Sequence, residues 1–221
     1  MRFAALETSG EWCSVALHVD GEVRALERRA GQRHSQLALP MLHALLEGFR
    51  IGTGDLQAVA FGAGPGSFTG LRIACALAQG LAAARGLPVL GVSSFEAAAE
   101  EAGAPRVVVC LDARMREVYY AALEKDARGW REAIAARCIA PGAAPRPPGG
   151  GWIGCGSGFA LAQPWAEILG PMKLFPEVHP GAAAIARLAA PRLARGEGVD
   201  AAAAAPLYLR DKVAFTKDEL K

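Results

Sequence analysis

No two cysteines in this chain of 221 residues are spaced C-x-x-C, and no two of its four histidines are spaced H-x-x-x-H. That leaves neither a redox dithiol nor a metal pair on one helical turn. His34 and His43 share a helical stretch but sit nine residues apart, on opposite sides at about 100° per residue. With His18 and His179 isolated, each histidine reads as a surface or helix-capping group, and no metal is expected. The five cysteines (Cys13, Cys75, Cys110, Cys138, Cys155) lie in apolar runs such as "VVVCL", so they read as reduced, mostly buried thiols of a cytoplasmic protein.

Charge is also nearly absent as a signal. Lys plus Arg number 24 against 22 acids, a net charge of +2, so the global field selects neither RNA nor a membrane surface. Any RNA contact must be local or made through a partner. The most apolar window, 73–84, is too short to span a bilayer. The N-terminus turns polar by Glu7, before a signal-peptide core could form. "KDEL" is followed by Lys221, so it is not a retention address.

Short apolar blocks dominate what is present. "RFAAL", "CSVALHV" and "EVRALE" read as a three-strand meander, and "RVVVCLDARMREVYYAALEKDARGWREAIAAR" repeats it, placing Asp112 where Glu7 stands. Two such meanders suggest an internal duplication. Between them the pattern gives a helix over 33–50 interrupted by Pro40, a buried strand "LQAVAFGAG", a helix over 68–85, a strand "PVLGVSS" and a helix ending at Gly103. Strand, helix, strand in that order predicts a parallel pair. Residues 140–151 form a Pro/Gly-rich loop, helices are expected near 159–169 and 181–195, and the tail from Pro206 is read as a polar surface segment that frays.

The glycine-rich stretch "GAGPGSFTGLR" fails three tests. It lacks the Lys of a phosphate loop. Gly64, Gly66 and Gly70 miss the dinucleotide spacing, and Ser67 lacks the flanking glycines of a nucleophile elbow. Gly64, Pro65, Gly66, Ser67 and Thr69 read instead as a tight turn with Ser67 capping a helix. Thr8, Ser9 and Asp112 could line a phosphate-binding cleft or simply form polar turns. The helix after the turn is apolar nearly all round, with Gly70, Ala74 and Ala78 forming a small-residue ridge. Such a helix is either buried on both sides or covers the sheet with one side and a partner with the other; the second arrangement is preferred.

The blocks "LETSGEWCSVAL", "GAGPGSFTGLRIACALAQGLA", "LDARMREVYYA" and "PLYLRD" together resemble the bacterial TsaB (YeaZ) family along nearly the whole chain. "GPGSFTGLR" is the most specific of them, and Arg116 replaces an expected glycine. The resemblance implies an α/β fold of two duplicated actin, sugar-kinase and heat-shock-ATPase-like (ribonuclease H-like) domains with mixed sheets, taken as 1–102 and 103–221. It also implies a degenerate, non-catalytic subunit without cofactor, acting in threonylcarbamoyl transfer to the adenosine beside the anticodon of tRNA. The implied partners are a metal-bearing TsaD-like transferase, a TsaE-like ATPase through the complex, and a second copy when alone; tRNA is contacted only indirectly and no membrane is involved. The partner surface is expected on the two helices, at Leu37, Met41 and Leu45 and at Gly70, Leu71, Ala74, Leu77, Ala78 and Leu81. The rival reading is a free-standing nucleotide-hydrolysing enzyme or glycoprotease of the same superfamily, with Thr8, Ser9 and Asp112 in a working cleft.

Overall fold

A computed structural model describes residues 1–210; the polar end of the tail, including the KDEL stretch, lies outside the described residues. Strands β1 (Arg2–Glu7), β2 (Trp12–Val19) and β3 (Glu22–Arg29) form the first meander, followed by α1 (His34–Phe49), β4 (Ala58–Gly64), α2 (Phe68–Ala83), β5 (Val89–Ser93) and α3 (Ser94–Ala102). The second half gives β6 (Arg106–Asp112), β7 (Val118–Asp126), β8 (Gly129–Ile139), β9 (Ile153–Cys155), α4 (Trp165–Leu169), β10 (Lys173–Phe175) and α5 (Ala182–Ala194).

The sheets run β3-β2-β1-β4-β5 and β8-β7-β6-β9-β10. In each, an antiparallel meander is extended by two parallel strands from its first member. This is one topology used twice: the duplication that the repeated meander suggested, in the ribonuclease H-like architecture that the family resemblance implied. The central strands alternate between two cores. Ala4 and Leu6 face α1 and α2 while Phe3 and Ala5 face α5, which is why β1 is apolar without the polar alternation of a half-exposed strand.

Two helices cross the division at residue 102. Helix α5, late in the sequence, packs Ile185, Ala186 and Ala189 under the first sheet, whereas α3 sends Phe95, Ala98 and Ala99 into the second sheet's core. Arg192 of α5 pairs with Glu96 of α3 at 2.7 Å. Helix α1 continues through Pro40, whose missing hydrogen bond would have gone to Gln36; both residues are exposed, so water can serve the freed carbonyl. The helix expected near 159–169 is a 3-10 turn at Ser157–Ala160 and a short α4, because Pro164 interrupts the run.

The start of α5 is tied to β2 and β3. The His179 ring stacks flat on Trp12 at 4.9 Å, and its Nε2 lies 3.5 Å from Glu27. Their mutual hydrogen bond is the main cause holding the Glu27 carboxyl below, and the His179 imidazole above, their ordinary values. The raised imidazole contributes stability in full below its unfolded value of 6.5 and loses it as pH rises through the folded value,. The lowered carboxyl contributes above 4.5 and loses it as pH falls through its folded value,. Wild type should therefore exceed His179→Gln in thermal stability most between about pH 4.5 and 6.5, with the gap closing as pH rises above 6.5 through the raised folded value of His179,; a melting-temperature series across pH checks this.

Candidate functional site

The two acids at equivalent strand ends make the same local contact. Glu7 Oε1 accepts from the Ser9 N–H at 2.5 Å, and Asp112 Oδ1 accepts from the Arg114 N–H at 2.8 Å. Their surroundings differ. Glu7 is 1% exposed; burial pushes its carboxyl up, opposed by hydrogen bonds from Ser9 and Ser94. Asp112 is half-buried, and its Oδ2 lies 3.4 Å from Arg114 Nη1.

The glycine loop fills the first turn. Thr8 Oγ1 donates to the Gly70 carbonyl at 2.7 Å, and the Ser67 N–H donates to the Ser9 carbonyl at 2.7 Å. The contact is close enough to require glycine: a Cβ on Gly66 would lie 2.6 Å from Ser9 Cβ, and one on Gly70 would lie 2.0 Å from the Thr8 carbonyl oxygen. Thr8 and Ser9 are buried, so their hydroxyls are spent inside the protein. Ser67 caps α2, accepting from the Gly70 N–H at 3.3 Å, as its place after the turn predicts; Thr69 stays exposed.

The segment after Ala204 closes the loop's other side and corrects the reading of this part of the tail as fraying. The Leu207 N–H donates to the Ala63 carbonyl at 2.7 Å, Arg72 Nε donates to the Tyr208 hydroxyl at 3.2 Å, and Arg210 Nη1 donates to the Ala113 carbonyl at 3.0 Å. This strap thereby joins the glycine loop to the β6–β7 turn. A cavity beneath it, lined by Pro65, Phe68, Leu71, Tyr119 and the strap, has a volume of about 10 Å³, room for one water and none for a nucleotide.

The helical surface differs from expectation. Gly70, Leu71, Ala74 and Ala78 are at most 1% exposed or buried against the first sheet, and Met41 and Leu45 are buried in the core beneath α1 and α2. The small-residue ridge is thus not an exposed seam; small residues let α2 approach β4, whose Phe61 fills the space. Leu37, Leu77 and Leu81 remain half-exposed at the edge of that core. Beside them Ile73, Ala76, Gly80 and Ala84 leave an outer apolar stripe on α2, and Pro40 and Ala44 continue from Leu37 along one side of α1, with exposed Leu39 on its opposite flank,. These residues were missed by choosing the ridge; the spacing 73, 76, 77, 80, 81, 84 carried the signal.

Other nucleophiles are suppressed. Burial pushes the Cys13 thiol up to about 11 and Cys155 up to about 12, and raises Cys75, Cys110 and Cys138 as well, so neutral pH leaves them as unreactive thiols. His34 is not a surface group: it is buried, with Nε2 donating to the Gly10 carbonyl at 3.1 Å. Among the described residues no three His, Cys, Asp or Glu side chains are grouped to hold a metal ion, and no helix is long and apolar enough to cross a membrane.

Comparison with known proteins matches this geometry to one group. A family model described as "TsaD: tRNA N6-adenosine threonylcarbamoyltransferase" matches residues 27–151. The Escherichia coli K12 "tRNA threonylcarbamoyladenosine biosynthesis protein TsaB" is 37% identical, covering 98% of each chain, and the Haemophilus influenzae protein of that name is 40% identical over 62% of this chain and 63% of its own. A solved structure of YeaZ from Pseudomonas aeruginosa superposes with a TM-score of 0.87 at 37% identity, covering 94% of this chain and 99% of that one. Similar along its full length and built on the same duplicated fold, this chain belongs to the TsaB (YeaZ) family.

Proposed function

We propose that this protein acts in tRNA threonylcarbamoyladenosine biosynthesis as a non-catalytic subunit that binds and activates a TsaD-type transferase through the outer faces of α1 and α2. The observation that carries the reading is the pairing of a closed turn with an open apolar face. The turn that would cradle a phosphate is filled by its own loop, while two adjacent helices leave Leu37, Ala44, Ile73, Ala76, Leu77 and Leu81 wholly or partly exposed. A contiguous apolar face of this kind marks a protein interface, and each well-buried Leu there contributes about 1.5 to 3 kcal/mol. The same face serves a homodimer when the partner is absent.

Light scattering after size exclusion tests this with the chain alone, the TsaD-type protein alone and the two mixed. A species with the mass of one of each supports the reading. Two proteins that elute apart at every nucleotide condition overturn it.

A further inference from the structure

We propose that the strap and the β6–β7 turn form a direct RNA contact, with arginines for phosphodiesters and an aromatic platform for an unstacked base. The inference rests on the reading that the complex works on tRNA, but places the RNA on this chain itself. Phe68 and Tyr208 lie 5.5 Å apart with rings tilted 38°. The Arg72 guanidinium covers Phe68 at 3.8 Å and holds the Tyr208 hydroxyl, so the 44% exposed Tyr208 ring is fixed in place. Two residues on, at most about 7 Å of backbone, Arg210 grips the other turn.

That turn presents charge in an uncommon way. Arg114, Met115 and Arg116 all have left-handed backbone, with φ of 62°, 53° and 61°, a conformation that non-glycine side chains rarely adopt. Arg114 is 76% exposed and Arg116 is exposed with no ion pair among the described residues. The neighbouring acids are already engaged: Glu117 pairs with Arg210, and Asp112 accepts from the Arg114 N–H and lies 3.4 Å from the exposed Arg114 guanidinium, which leaves Arg116 as the cation without an acidic partner among the described residues. The result is two exposed cations, Arg114 and Arg116, beside an immobilised ring, with the nearby acids Asp112 and Glu117 each facing an arginine among the described residues. An acidic protein surface would use the cations but not the ring. Unpaired RNA uses both, because phosphates pair with arginine and every base offers a stacking face.

The test is fluorescence anisotropy of a labelled, unmodified tRNA transcript with the chain alone and with its mixture with the TsaD-type protein, at about 50 and 200 mM salt. Arg114→Asn with Arg116→Asn removes both charges while keeping residues that tolerate left-handed backbone. This pair should weaken binding about tenfold and reduce the salt slope by about 2. Tyr208→Ala should weaken it roughly tenfold with the slope unchanged. Arg28→Asn with Arg33→Asn, which removes two exposed arginines elsewhere, should change little. RNA affinity unaltered by the 114/116 pair, or equal loss in the 28/33 pair, overturns the proposal, as does competition by polyglutamate as effective as by unlabelled tRNA. Failure to associate with the TsaD-type protein would instead strike the preceding reading, and the chain-alone titration would still decide this one.

Discussion

Ala76→Glu should leave the free protein folded and weaken its association with a TsaD-type partner about 100-fold, whereas Ala74→Glu, two residues away, should unfold it. Ala76 is exposed on the outer side of α2, and Glu is nearly as good a helix former as Ala. The melting temperature should therefore move by less than about 2 °C. Once a partner covers the stripe, the carboxylate is desolvated without a counter-charge, a cost of about 3 kcal/mol, or two decades of affinity. Ala74 is 0% exposed within the first core. A carboxylate there has no partner and no water, at a cost of about 4 kcal/mol or more, a large part of the stability of a typical domain. Circular-dichroism melts and light scattering of the mixed proteins read both outcomes. An Ala76→Glu variant that binds normally would remove the α2 stripe from the interface.

The contrast between these neighbours also shows what the sequence could express. Both meanders, the parallel order of β4 and β5, and the span of α1 and α2 were legible because apolar period and turn residues are local. The inward side of α2 was not, since a helix apolar all round gives no polar stripe to mark the outside. What decides it is volume. Ala74 and Ala78 share their core with Phe61, which fills the layer, and Gly70 abuts the Thr8 backbone, leaving the bulkier Ile73, Leu77 and Leu81 half-exposed. The return of α5 to the first sheet was likewise hidden, because it depends on contacts such as Ala182 N–H to Ser14 Oγ at 2.8 Å, between residues far apart in sequence. For the strap, "PLYLRD" looked like a polar end. Its anchoring comes from Leu209 entering the second core and from carbonyls of distant turns. For the hydroxyls of Thr8 and Ser9, composition left open whether a phosphate or the protein's own loop would take them, and the Thr8 hydroxyl is taken by the Gly70 carbonyl.

Gly70→Ala decides that last question, and its expected result is a loss of about 3 kcal/mol or more of stability with no gain of nucleotide binding. The added carbon would sit 2.0 Å from the Thr8 carbonyl oxygen and 3.0 Å from its carbon. Both are backbone atoms that no rotamer change can move aside. Relief requires α2 to lift away from the β1–β2 turn, which breaks the bond from Thr8 Oγ1 to the Gly70 carbonyl and strips cover from a buried hydroxyl. At about 2 to 4 °C per kcal/mol for a chain of this size, the melting temperature should fall by roughly 6 to 12 °C. Hydrogen exchange should rise together at residues 8–10 and at the start of α2, since one joint holds both. Gly80→Ala supplies the control, because nothing lies within 4 Å of its added carbon, and Ala there should hold or raise stability. A Gly70→Ala protein as stable as wild type would mean that the loop does not close on the turn. The superfamily cleft would then be open to phosphate, and a nucleotide-hydrolysing enzyme would regain its case.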